Sequence, residues 1–142
     1  MERLFSPWRS KYIDTFFHSK NVEGKCILCL AHQENKDDDH LIVTRGKYCY
    51  VIMNLFPYNS GHLMIVPYRH TSTLLDLTDE ESLEVMTLLK KMTQALQAVS
   101  RPEGFNIGSN IGRTAGAGID QHIHFQIVPR WSGDTNFMPI LA

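Results

Sequence analysis

Apolar residues recur at two different spacings along this chain, and the change of spacing divides it into strands and a helix. From Leu41 onward the pattern is one of short apolar runs. They are Leu41-Ile42-Val43, then Tyr48-Cys49-Tyr50-Val51-Ile52-Met53, then His62-Leu63-Met64-Ile65-Val66, the last stopped by Pro67. The intervening Phe56-Pro57-Tyr58-Asn59-Ser60-Gly61 is turn chemistry, so the second and third runs predict a hairpin. The spacing then lengthens to three and four. Val85, Leu88, Leu89, Met92, Leu96 and Val99 form one stripe, which predicts a helix ending near Ser100. Thr78-Asp79-Glu80-Glu81 supplies its N-cap, with a Glu three residues on and three acids where the helix dipole favours them. Residues 105–110 and 122–128 read as the last strands, separated by Gly112-Arg113-Thr114-Ala115-Gly116-Ala117-Gly118. Strands in runs with one main helix predict an α+β domain on a largely antiparallel sheet. Residues 1–24 scatter Leu4, Phe5, Trp8, Tyr12, Ile13, Phe16 and Phe17 without a clean period and read as an N-terminal arm. Residues 25–142 read as one folded domain, opening with a cysteine pair and a polar loop to residue 40.

Composition narrows the class. The chain has 142 residues with 43% apolar and 20% charged content, enough for one modest core and against disorder. A net charge of −1 supplies no field to draw the protein to nucleic acid or an anionic membrane. No apolar stretch approaches the ~20 residues of a membrane helix, and the start lacks a signal-peptide core. Three cysteines, two as Cys26-x-x-Cys29, do not form a secreted disulfide framework. The expectation is a cytoplasmic protein with no nucleic-acid or membrane partner.

The chemistry concentrates in Gln121-His122-Ile123-His124-Phe125-Gln126-Ile127-Val128-Pro129-Arg130-Trp131. Strand side chains alternate, so His122, His124, Gln126 and Val128 share one face while Ile123, Phe125 and Ile127 share the other. The apolar face is core. The opposite face aligns two imidazoles and an amide at steps of about 6.6 Å, which packing does not require. A single strand histidine is ordinarily a satisfied polar group; two histidines and a glutamine in phase point to a site. The preceding glycine-rich loop is by itself an ordinary turn, but glycines also let backbone N–H groups close on a phosphate.

These residues resemble the histidine triad (HIT) superfamily. His122-x-His124-x-Gln126-x-x-Pro129-Arg130 is its signature with glutamine in place of the third histidine. The likeness continues upstream through Asn54, Gly61-His62-Leu63-Met64-Ile65-Val66-Pro67, His70, Asn110-x-Gly112 and Ala115-Gly116, and covers about residues 25–138. The ending Pro129-Arg130-Trp131-x-Gly133-Asp134-x-Asn136-Phe137 is similar to the diadenosine tetraphosphate phosphorylase-like members. The resemblance implies a five-stranded antiparallel sheet with one main helix, and a homodimer in which the two sheets run on. It also implies that His124 attacks the α-phosphorus and carries a nucleotidyl group. His62, Asn110, Gln126 and N–H groups of the loop at Gly116, Ala117 and Gly118 would hold phosphate oxygens, and Asn54 would contact the ribose. His122 would assist as the first signature histidine. The plainer reading of His62 and Asn54 is hydrogen bonding within the hairpin turn.

Two departures bear on the acceptor. Hydrolase branches carry Ser or Thr where this chain has Gly118, with spacing to His122 one residue shorter. Gln126 cannot titrate as an imidazole does, and glutamine there is typical of transferases and phosphorylases. The implied activity is therefore a nucleotidyl transferase or phosphorylase cleaving dinucleoside polyphosphates. The alternatives are a hydrolase on the same scaffold and a nucleotide-binding module without turnover. Cys26-x-x-Cys29 has zinc-knuckle spacing, against a redox pair or two buried thiols. In zinc-bearing relatives the other ligands stand where this chain has His70 and His122, implying a structural zinc. Cys49 reads as a small core side chain. The sequence ends at Ala142, where the resemblance leads one to expect a further C-terminal segment.

Overall fold

The computed structural model describes residues 26–54 and 61–134. The arm expected over residues 1–24, most of the turn over 56–61 and the Asn136-Phe137 motif lie outside the described residues.

Residues 26–40 depart from the polar loop expected after the cysteine pair. They carry helix α1 (Ile27–Gln33) and the single turn α2 (Asp37–His40). The reason is visible in α1, where Leu28 and Ala31 lie three apart and bury one face against the sheet. A helix this short is marginal alone, so that packing decides it. Three aspartates opening α2 suit its dipole, and Leu41 ends it in the left-handed conformation.

The apolar runs become β1 (Ile42–Arg45), β2 (Cys49–Met53) and β3 (Leu63–Pro67). The stripe becomes α3 (Asp79–Ser100), with the expected capping box: Glu81 N–H donates to Thr78 Oγ1 at 3.1 Å and Thr78 N–H to Glu81 Oε1 at 3.3 Å. Val99 is 85% exposed rather than buried, because residues 97–101 are all exposed and the last turn projects past the sheet. The last strands are β4 (Gly104–Gly108) and β5 (Phe125–Arg130). All five strands form one sheet in the order β1-β2-β3-β5-β4, each neighbouring pair antiparallel. The chain is thus α+β, with a five-stranded antiparallel sheet and one main helix.

Strand alternation sorts the sheet into two layers. Cys49 and Val51, Leu63 and Ile65, and Ile127 face α3 and meet Val85, Leu88, Leu89, Met92 and Leu96. Tyr50, Ile52, Met64 and Val66 face the other way, beneath Leu28 and Ala31 of α1. Gln126, between Phe125 and Ile127, points to this second layer.

Two expected strand limits move, and both shifts build the site. The β3–β5 ladder stops at the Ile65–Phe125 pair, so His122, Ile123 and His124 precede the strand instead of belonging to it. Pro67 has no N–H to extend that ladder. Its carbonyl accepts a side-chain hydrogen bond from His122 instead. On the other side β4 ends at Gly108, and Ser109 Oγ donates to the His124 carbonyl at 2.7 Å.

Candidate active site and metal cluster

Beside the start of β5, the second layer opens into a cleft lined by Asn54, Met64, Asn110, Gly116, Ala117, Gly118, Ile119, His124 and Gln126. Seven of the residues expected from the sequence thus meet at one place. Met64 and Ile119 were not expected. Met64 pairs with Gln126 across the ladder, a register that only the folded sheet reveals.

His124 is buried, and its Nδ1–H donates to the His122 carbonyl at 2.9 Å. That bond selects one tautomer and puts the ring's lone pair on Nε2. Ser109, holding the His124 carbonyl, fixes the same residue from its backbone. Nothing in the sequence signalled Ser109. Asn110 Oδ1 and Gln126 Oε1 are buried without a hydrogen-bond partner among the described residues. Such atoms are costly unless a ligand or water completes them, and both belong to residues lining the cleft.

The loop is built on glycine where φ is positive, +86° at Gly112 and +93° at Gly116. Its own hydrogen bonds use much of its donor capacity. Gly112 O accepts from Ala115 and Ala117 N–H, each at 3.2 Å, and Arg113 O accepts from Gly116 N–H at 2.9 Å. Among the described residues Gly118 N–H makes no main-chain hydrogen bond. Gly116, Ala117 and Gly118 form one wall of the cleft.

His62 does not line the cleft. It is buried just before β3, and its carbonyl accepts Asn54 N–H at 3.0 Å, closing the hairpin. Asn54 closes the hairpin through its main chain, and its side chain lines the cleft and contacts Met64 Sδ at 3.9 Å.

His122 turns away from the cleft. Its Nε2–H donates to Pro67 O at 2.7 Å, which leaves the Nδ1 lone pair facing Cys26, Cys29 and His70. The two histidines of the signature, expected side by side on one polar face, point to different neighbours because the strand has not yet begun at His122. Sγ of Cys26 and Cys29 and Nδ1 of His70 and His122 all lie within 4.8 Å of one another and could hold a metal ion. Burial first, then the neighbouring histidines, pushes His122 down to about 4 despite the Pro67 hydrogen bond, so its ring is neutral near pH 7. Burial and Cys26 push the Cys29 thiol up to about 11. A cation between the four would reverse that second shift by favouring thiolate. α1 brings the two thiols, and its cover is fixed by Arg45, which forks onto Asp37 at 2.7–3.2 Å and donates to His32 O at 2.9 Å. Cys49 is buried in the core, its thiol pushed up to about 12 by burial.

Comparison with known proteins gives this geometry a family. The chain is 42% identical over 145 aligned residues to the "AP-4-A phosphorylase" of Mycobacterium tuberculosis, spanning all of this chain and 74% of that protein. A hypothetical protein from Leishmania major superposes with a TM-score of 0.69 at 26% identity, over 79% of this chain and 77% of its own. A zinc-bound histidine triad family protein from Mycobacterium smegmatis shares the fold at TM-score 0.69 and 24% identity, over 78% of each chain. Among the described residues no helix is long and apolar enough to cross a membrane. The HIT domain family model matches residues 35–133, and with well over half of its length so matched the chain belongs to the HIT-domain family.

Proposed function

We propose that this chain is a nucleotidyl-transferring phosphorylase that cleaves dinucleoside polyphosphates through His124. The observation that carries the reading is the Nδ1–H of His124 held by the His122 carbonyl, which makes Nε2 the nucleophilic nitrogen beside Asn110 and Gln126. Nε2 attacks the α-phosphorus; the P–N bond forms as the bridging P–O bond breaks, and the leaving polyphosphate takes that electron pair. The His122 carbonyl then faces a cationic ring, which its partial negative charge stabilises. An acceptor oxygen displaces the imidazole in the second step, forming P–O and returning the P–N pair to Nε2. Gly118 N–H and the amides of Asn110 and Gln126 hold the phosphate oxygens, Asn54 the ribose, and His62 supports the floor of the site through the hairpin.

Inorganic phosphate as acceptor is supported by two features of the site. Gly118 has no side chain and an uncommitted N–H, leaving room and a donor for a second anion, and Gln126 offers no titrating group to activate water. The name of the mycobacterial relative agrees.

The cluster's fit supports zinc as its metal. A tetrahedral ion with Zn–N of about 2.05 Å and Zn–S of about 2.3 Å separates nitrogens by about 3.3 Å and nitrogen from sulfur by about 3.6 Å. Here His70 and His122 Nδ1 are 3.3 Å apart, and their closest sulfur distances are 3.4 to 3.5 Å. Cys26, Cys29, His70 and His122 would hold it, tying α1 to the approach of β5. We also propose a homodimer whose sheets join at β4, one of the two edge strands of the sheet, where Ile107 is 43% exposed. A cytoplasmic setting agrees with paired thiols that bind metal. The division into an arm over 1–24 and a HIT-like domain over 25–142 belongs to the same reading.

The deciding assay supplies diadenosine tetraphosphate with and without inorganic phosphate. ADP with ATP should appear when phosphate is present. Release of AMP and ATP alone at every phosphate concentration would make the acceptor water.

A further inference from the structure

The cleft is uncharged where its proposed substrate is most charged. Asn54, Met64, Asn110, Ile119, His124 and Gln126 stand around the glycines, and among the described residues no lysine or arginine lines the cleft. Every phosphate of a polyphosphate bridge is anionic, so the part that leaves needs a cation beyond the scissile phosphorus. Most arginines of the described residues are engaged elsewhere: Arg45 with Asp37, Arg69 with Glu81, Arg130 with Asn106. Lys90 and Lys91 ride on α3, across the sheet from the cleft.

Arg113 is placed differently. It opens the single helical turn of the glycine loop, and its carbonyl accepts Gly116 N–H, so its backbone lies one turn from the cleft wall. Its side chain is 63% exposed, and Nε donates to Asp120 Oδ2 at 2.8 Å. Arg113 and Asp120 thus bracket the lining stretch 116–119. An exposed ion pair of this kind is weak and readily exchanged, whereas a guanidinium on phosphate makes charge-assisted, forked hydrogen bonds.

We infer that Arg113 exchanges Asp120 for the phosphates beyond the scissile one, and so sets which polyphosphate lengths the cleft prefers. The inference rests on the nucleotide reading above and deepens it. The guanidinium binds the leaving group, and Asp120 acts as the internal anion that the substrate displaces.

The test titrates AMP, ADP, ATP and inorganic tripolyphosphate calorimetrically into His124→Asn protein, where turnover is blocked, at one ionic strength. Affinity should climb from AMP to ATP. Adding Arg113→Ala should weaken ATP and tripolyphosphate roughly tenfold and leave AMP unchanged, with Arg113→Lys between the two. Asp120→Asn should tighten ATP several-fold by removing the competitor. The inference is overturned if Arg113→Ala keeps the parent ratio of ATP to AMP affinity. It is equally overturned if Arg113→Ala or Asp120→Asn weakens AMP as much as ATP, since the pair is then only a brace for the loop. Failure of the phosphorylase reading shows separately, in the products made by unmutated protein, and the tripolyphosphate titration reads Arg113 even then.

Discussion

His122 and His124 lie two residues apart and share a hydrogen bond, yet their rings answer to different neighbours. The His122 ring has both nitrogens engaged, by Pro67 O and by the cluster of Cys26, Cys29 and His70, and its carbonyl holds the His124 ring. His124→Asn and His124→Gly should therefore fold, keep AMP affinity within a few-fold, and lose turnover by several orders of magnitude. Steady-state kinetics beside AMP titration checks this; activity within tenfold of the parent would contradict a covalent mechanism. His122→Asn should behave otherwise, because it deletes a ligand but keeps the carbonyl. Metal content should fall by elemental analysis, and kcat should drop with KM little changed, as the carbonyl that positions the His124 ring is held less firmly. A proportionate rise in KM would mean that His122 touches substrate.

At the scale of the element, α1 and α3 show opposite degrees of legibility. α3 was readable because its signals are local: a stripe at helical spacing and a cap four residues long. Thr78→Ala should lower stability by about 1 kcal/mol, measured by urea unfolding. α1 was not readable because only two of its residues face the core and its other supports come from afar. These are the Arg45 fork and Tyr50, whose hydroxyl donates to Leu28 O at 2.6 Å. Seven of the nine cleft residues could be named from sequence because each sits in a spaced motif; Met64 and Ile119 could not. The separation of His122 from His124 could not, since it depends on where the β3–β5 ladder stops. Arg45 holds the Asp37 carboxyl below its ordinary value of 3.8, chiefly by hydrogen bonding. With the native value depressed, the stabilisation is complete above about pH 4 and fades as pH falls below that. Arg45→Met should abolish this part of the acid dependence and weaken metal retention, readable as faster metal loss to a chelator near pH 7.

For the whole molecule, metal and association are the quantities to measure. Protein purified without chelators should carry about one zinc per chain, and Cys26→Ser should lower both metal content and Tm, because an unfolded chain offers no formed site. No metal in the parent together with an unchanged Tm in Cys26→Ser would remove zinc from the account. The native mass should be that of two chains, and Ile107→Lys on the β4 edge should shift it toward one, since a charge there opposes pairing of sheet edges. Sedimentation at several concentrations distinguishes the two states.

The alternation that sends Val51, Ile65 and Ile127 to α3, and Met64, Gln126 and Val66 to the other layer, has a consequence for how this sequence tolerates change. Substitutions on the helix side should cost abundance alone, so that function per folded molecule survives them. Those on the cleft side should lower function per folded molecule even where abundance holds. In a saturation library scored for both quantities, the ratio of function to abundance should therefore oscillate with a two-residue beat along β3 and β5. It should stay flat along α3. The strands of this fold would then be recognisable, from phenotype alone, by a rhythm in tolerance.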